Sequence, residues 1–244
     1  MKPHRAWISF ALALAASTAA PALAQSKLDN LRALSQNEFH SLAEDLGAAL
    51  SYKPLAPATP LGFPGFEVGV GVTGTKLKHQ DLFVRASNDG DFPSTLVVPT
   101  VRAAVGLPWD FTASGTYSSV PKTGMKLYGA ALSYAFVPGN TLLPALGVRA
   151  SYTKMNGVDQ LDFDTAGIDG SISKGIAFVT PYIGGGRIWA NAAPSSATPL
   201  RAESFWLNKV YGGLDFKLTI VHLAFEYDRT GEANSYGVKL SLSF

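Results

Sequence analysis

From Phe66 onward, apolar and polar side chains alternate in segments of about ten residues set apart by turn formers. Successive side chains of a strand point to opposite faces, so each segment predicts a strand with one apolar and one polar face. Ten segments can be read: residues 66–77, 96–107, 109–119, 125–136, 144–154, 160–172, 176–189, 205–218, 219–229 and 236–244. The first sets Phe66, Val68, Val70 and Val72 against Glu67, Thr73 and Thr75, and the ninth sets Val221, Leu223, Phe225 and Tyr227 against His222, Glu226 and Asp228. Two segments are irregular. In the sixth, Leu161 and Phe163 alternate with Asp162 and Asp164, but around Gly167 the apolar phase passes to Ile168 and Ile172, which predicts a bulge. In the seventh, Pro181 and Gly184-Gly185-Gly186 interrupt the alternation.

Ahead of this ladder the period changes. Leu28, Leu31 and Leu34, then Phe39, Leu42 and Leu46, follow helical spacing, and Ser35 with Glu38 makes a capping box. Pro54, Pro57, Pro60 and Pro64 then predict an extended linker. At the start, Lys2, His4 and Arg5 precede a mostly apolar run over residues 6–16, and Ala22-Leu23-Ala24 follows. That is the pattern of a secretory signal peptide, with cleavage near Ala24 and a mature start at Gln25. The expected organisation is a signal peptide over 1–24, a periplasmic helical segment and Pro-rich linker over 25–65, the helix expected as a plug or periplasmic cap, and a strand ladder over 66–244.

The last segment alternates without a break, with Tyr236, Val238, Leu240, Leu242 and Phe244 set against small or polar residues. With the leader, it resembles the closing strand of Gram-negative outer-membrane β-barrel proteins, whose terminal Phe is an assembly signal. The resemblance implies an all-β fold, an antiparallel transmembrane β-barrel of about 10 strands (range about 8–12), with a short N-terminal helical segment. It implies a bacterial outer-membrane location and contact with outer-membrane lipid and lipopolysaccharide. The barrel-assembly machinery and periplasmic chaperones are the partners it implies during biogenesis. The helical piece before the ladder loosely resembles the hydrophobic-compound transporters of that membrane, though no motif ties the chain to them.

An even strand count returns the chain to its starting side. With both ends periplasmic, the long links 78–95 and 190–204 face outward, and the short ones at Leu107-Pro108-Trp109 and Lys217-Leu218-Thr219 face inward. Trp109 and Tyr117, Tyr128 and Phe136, and Tyr236 and Phe244 are spaced eight residues apart. At ~3.3 Å per residue and a tilt near ~40°, that spacing rises about 20 Å, the separation of two aromatic girdles.

Composition narrows the partners. Of 20 basic residues, Lys2 and Arg5 leave with the leader, so 18 face 18 acidic ones and a nucleic-acid partner has no electrostatic support. The chain has no cysteine, which excludes disulfides and thiolate metal sites, and no cofactor or metal is expected. Although 47% of residues are apolar, no stretch after the leader reaches the ~18 apolar residues of a membrane helix.

Turned inward, the polar faces bring together Glu67, Arg102, Asp110, Lys126, Arg149, Asp162, Asp164, Arg187, Lys209, Asp215, Lys217, His222, Glu226, Asp228 and Lys239. Mixed signs in a narrow lumen predict internal ion pairing, where a single sign would predict a selective pore. The expected function is passive passage of small or hydrophobic solutes. The alternatives are a closed structural or adhesion barrel, and an outer-membrane lipid-modifying or proteolytic enzyme. The chain is not expected to be an enzyme. Catalysis would need His79, beside Asp81, Asp89 and Asp91, or His222, with Glu226 and Asp228 on its face. His40, on the helix, is expected in solvent.

Overall fold

The structure, a computed structural model, describes residues 28–87, 92–121, 123–196 and 198–244. The leader, its cleavage site, Asp89 and Asp91 lie outside the described residues. The strands are β1 (Phe66–Lys76), β2 (Thr95–Leu107), β3 (Phe111–Ser119), β4 (Lys126–Val137) and β5 (Ala145–Asn156), followed by β6 (Leu161–Ser173), β7 (Val179–Pro194), β8 (Glu203–Leu218), β9 (Val221–Thr230) and β10 (Ala233–Ser243). Each pairs antiparallel with its chain neighbours, and β10 pairs with β1 from Glu67↔Ser243 to Lys76↔Asn234. Closure leaves no unpaired sheet edge. At the seam Phe66 and Phe244 exchange backbone hydrogen bonds of 3.0 and 2.9 Å, and their rings stack at 5.0 Å.

Side-chain parity holds along every strand, and the outward face carries an apolar belt. Val70, Val101 and Leu240 lie side by side in register on β1, β2 and β10 and are all exposed. Tyr117–Tyr128, Trp189–Trp206 and Tyr227–Tyr236 form ring pairs at one rim, and Phe66–Phe244, Phe111–Tyr134 and Phe216–Phe225 form pairs toward the other. Aromatic rings at the two limits of an apolar band, Tyr and Trp at one and mostly Phe at the other, match a bilayer's two interfaces. Tyr236, Val238, Leu240, Leu242 and Phe244 all lie on this outer face.

Three expectations about the ladder are corrected. β6 has no bulge: its register runs unbroken against β5 and β7, and the phase change at Gly167 is a change in which face is apolar. The register shift in the ladder falls instead between β4 and β5, at Tyr134/Val137. β7 begins at Val179 and runs through its glycines to Pro194, because Gly184 and Gly186 face inward where a side chain has no room. Trp109 and Asp110 are not in β3; they have φ of 60° and 62° and form the tight turn from β2, so Phe111 takes the strand-end aromatic position.

The segment before β1 lies inside the barrel. Helix α1 (Gln36–Leu50) starts at the expected capping box, where the Ser35 N–H donates to Glu38 Oε2 at 2.8 Å. Phe39, Leu42 and Leu46 are fully buried, packed with Leu96, Leu127, Met155, Phe163 and Ala190 from the barrel wall and with Phe83 of α2 (Gln80–Ala86). This apolar core sits at the end of the long loops, where β1 leads to β2 and β7 to β8. Of the expected plug or periplasmic cap, the helix is a plug, and its place is corrected: it is in the lumen at the long-loop end, not at the turn end. Residues 51–65 make this geometry available. An extended Pro-rich run rises ~3.1 Å per residue, about 45 Å in all, enough to descend the lumen before β1 starts at the turn end. Each proline also removes a backbone N–H that the lumen would otherwise have to satisfy.

Candidate functional site: the occupied lumen and the turn-end vestibule

Below the apolar core the lumen is polar, and the wall grips the descending segment by charge and hydrogen bonds. Lys53 Nζ donates to Asp228 Oδ1 at 2.6 Å and to the Ala48 carbonyl at 2.8 Å. Lys209 donates to the Tyr52 carbonyl at 2.7 Å, and the Leu55 N–H donates to Glu226 Oε2 at 2.9 Å. Arg102 donates to the carbonyls of Lys53 and Pro54 and stands over the Tyr52 ring. A charge removed from water is costly unless it is paired or hydrogen-bonded: Lys53 and Lys209 both lie against Asp228, at 2.6 and 3.5 Å, while Glu226 and Arg102 are held by hydrogen bonds.

A second network lies in the wall. Arg149 pairs with Asp169 at 3.5 Å and with the Tyr211 hydroxyl, which itself donates to Asp169. Tyr182 donates to Glu226 at 3.0 Å. Both tyrosines lie flat against glycine. Tyr182 faces Gly213 and Tyr211 faces Gly184 in the β7–β8 register, and a Cβ on Gly184 would stand 2.3 Å from the Tyr211 ring. The expected strand irregularity is thus a pair of ring-and-glycine fittings.

At mid-height, among the described residues, the spaces left beside the segment are cavities of about 40 and 10 Å3. At the turn end a vestibule of about 320 Å3 opens, bounded by residues 56–61 of the inserted segment and by the ends of most strands. Its wall holds Lys239 paired with Glu67 at 2.9 Å, and His222 Nδ1 at 2.9 Å from Asp215 Oδ2.

The structure sorts the sequence-predicted residues by parity. Glu67, Arg102, Arg149, Lys209, Asp215, His222, Glu226, Asp228 and Lys239 point into the barrel, with Lys217 at its rim and Asp110 in the adjoining turn. Lys126, Asp162, Asp164 and Arg187 do not. They stand on the outward face: Lys126, Asp162 and Asp164 near the long loops, where Lys154 meets Asp162 at 2.6 Å, and Arg187 at mid-strand, opposite Ile168, where it meets Asn208. For the first three the reason is the reversal already seen in β6: at the long-loop end the inward face is apolar because it packs on α1.

The other histidines are also relocated. His79 meets Asp45 of α1, its backbone N–H donating to Oδ2 at 2.7 Å and its ring Nδ1 standing 3.6 Å from the same oxygen, and not Asp81. His40 is not a free solvent group: it lies 3.2 Å from Glu203 and packs edge-on to Phe205 at 4.8 Å. His222 meets Asp215, not Glu226 or Asp228. Sequence reading missed Asp169, Lys53, Tyr182 and Tyr211. Asp169 was findable, being of opposite parity to Ile168 and Ile172.

A closed ladder, an outward apolar belt and a charged interior define an outer-membrane β-barrel. No family model matches the chain, and no curated protein matches it. Solved structures similar to it include the N-terminal β-barrel domain of Pseudomonas aeruginosa OprF, at 12% identity over 73% of this chain and 97% of that one, with a TM-score of 0.36. The KdgM porin aligns at 11% identity over 73% and 99%, with a TM-score of 0.39. Ail, the attachment invasion locus protein of Yersinia pestis, aligns at 13% identity over 74% and 97%, with a TM-score of 0.29. The assignment to the class rests on this chain's own strand pairing and belt.

Proposed function

We propose that the protein is a plugged outer-membrane barrel, shut at rest, that passes small polar solutes when residues 28–61 shift. The observation that carries this reading is the chemistry of the grip. Through the polar half of the lumen, the wall holds the segment by ion pairs and single hydrogen bonds from Asp228, Glu226, Lys209 and Arg102. Such contacts are exchanged for water at less cost than an interdigitated apolar core. The charged lining that remains favours polar solutes over the hydrophobic ones also expected from sequence.

The apolar core around α1 favours a second reading, a closed barrel without a pore, because withdrawing Phe39, Leu42 and Leu46 from it would expose much apolar surface. Planar-bilayer recording separates the two. Under gated passage, refolded full-length protein is quiet, deletion of residues 28–61 gives steady conductance, and Lys53→Ala or Asp228→Asn raises the frequency of openings. A folded deletion variant that stays silent would remove the passage reading and leave the closed barrel.

A further inference from the structure

Three side chains from adjacent strands meet at the turn end in an arrangement that the plug does not explain. Asp215 on β8, His222 on β9 and Ser243 on β10 all face inward. Asp215 Oδ2 is 2.9 Å from His222 Nδ1, and His222 Nε2 is 2.9 Å from Ser243 Oγ. The proton positions follow from the groups. An ionised carboxylate only accepts, so Nδ1 carries the ring hydrogen; Nε2 of the neutral ring then accepts, and the Ser243 hydroxyl is the donor. This is the acid, base and nucleophile order of a serine hydrolase.

Exposure runs in the order that chemistry needs. The Asp215 side chain is 4% exposed and that of His222 14%, while Ser243 is partly open and lines the vestibule. Lys217, the cross-strand partner of His222, reaches the same space, as do Arg102 and Lys239. Lys217 has no ion pair among the described residues, so its charge is available to an oxygen that becomes negative. A volume of about 320 Å3 is at the small end of the range for small-molecule sites.

We propose that Asp215, His222 and Ser243 form an esterase site for short-chain carboxylic esters entering from the turn end. Ser243 Oγ bonds to the ester carbonyl carbon while His222 Nε2 takes the hydroxyl proton, and the imidazolium leans on Asp215. The carbon–oxygen bond to the alcohol then breaks, and His222 passes the proton to the leaving oxygen. Water, deprotonated by the same nitrogen, adds to the acyl-serine and releases the acid, restoring the hydroxyl. The site does not depend on plug movement, since the vestibule is open in the plugged state.

The test uses the full-length protein in detergent micelles, with a fluorophosphonate probe followed by peptide mass mapping, and with p-nitrophenyl butyrate turnover. Expected are a covalent adduct on Ser243 and a turnover that falls about 10²–10⁴-fold in Ser243→Ala, His222→Gln and Asp215→Asn. Ser241→Ala should retain turnover. Heat-modifiable gel mobility reports folding. If Ser243→Ala does not assemble, folded His222→Gln decides. Folded wild-type protein that takes no label, or labelling unchanged in folded His222→Gln, would overturn the proposal and leave the three residues as a hydrogen-bonded strut.

Discussion

The two ends of this barrel obey the same strand parity with opposite chemistry. At the long-loop end, Leu161 and Phe163 of β6 point inward onto α1 while Asp162 and Asp164 point out. Farther along the same strand Asp169 points inward to Arg149, and Ile168 and Ile172 point out. A soluble protein and a membrane protein thus share one strand, divided near Gly167. What decides the assignment at each height is the neighbour on each side, lipid or water outside and helix or ion pairs inside. The side-chain direction itself never changes.

The contrast can be broken most strongly from within the apolar end. Phe163→Ala should cost about 3–5 kcal/mol, because the ring is 1% exposed against α1, and urea titration of the folded barrel would read it. A loss under about 1 kcal/mol would mean that the helix does not complete a core there. On the outer face the two ends should differ in sign tolerance. Val70→Lys, among Val101 and Leu240 in the belt, should cost about 2–4 kcal/mol, whereas Asp162→Lys, beyond the belt, should cost about 0–1 kcal/mol in the same titration. Equal effects would place both positions in the same solvent.

Smaller changes sharpen the picture. Gly184→Ala puts a methyl into the Tyr211 ring, so a loss of about 1–3 kcal/mol is expected, and Tyr211→Ala in the same chain should make the alanine tolerable. The weakest effect is at the start of α1. The Ser35 N–H and then Arg85 hold the Glu38 carboxylate down at about 2. A carboxylate lowered on folding adds stability that is full above the ordinary carboxylate range and is lost as pH falls through about 2. The protection of residues 35–40, hydrogen exchange relative to the intrinsic rate at each pH, should therefore fall between pH 4 and 2, an acid range taken from that shift, and Glu38→Gln should remove that fall.

Much of the architecture was legible because lipid and barrel closure impose a period of two. Val68, Val70, Val72, Tyr117, Tyr128 and Tyr236 fall on the outer face where alternation puts them, and the order of all ten strands follows from the turn residues. The site was legible only in part. Arg102, Asp215 and Glu226 could be placed by parity within the belt, but Lys126, Asp162 and Asp164 could not, since their faces are set by α1 packing inside. Asp215, His222 and Ser243 carry no motif, being brought together by the register of β8, β9 and β10.

The sequence alone determined a ladder of strands with an apolar face, a capped helix ahead of it and a proline-rich run between, because these depend on local period and backbone chemistry. Only the tertiary structure decided that the run descends through the barrel, that the helix fills its far end and that Lys53 meets Asp228. Those outcomes depend on which surfaces meet across the lumen, and nothing in a strand's alternation records what stands opposite it.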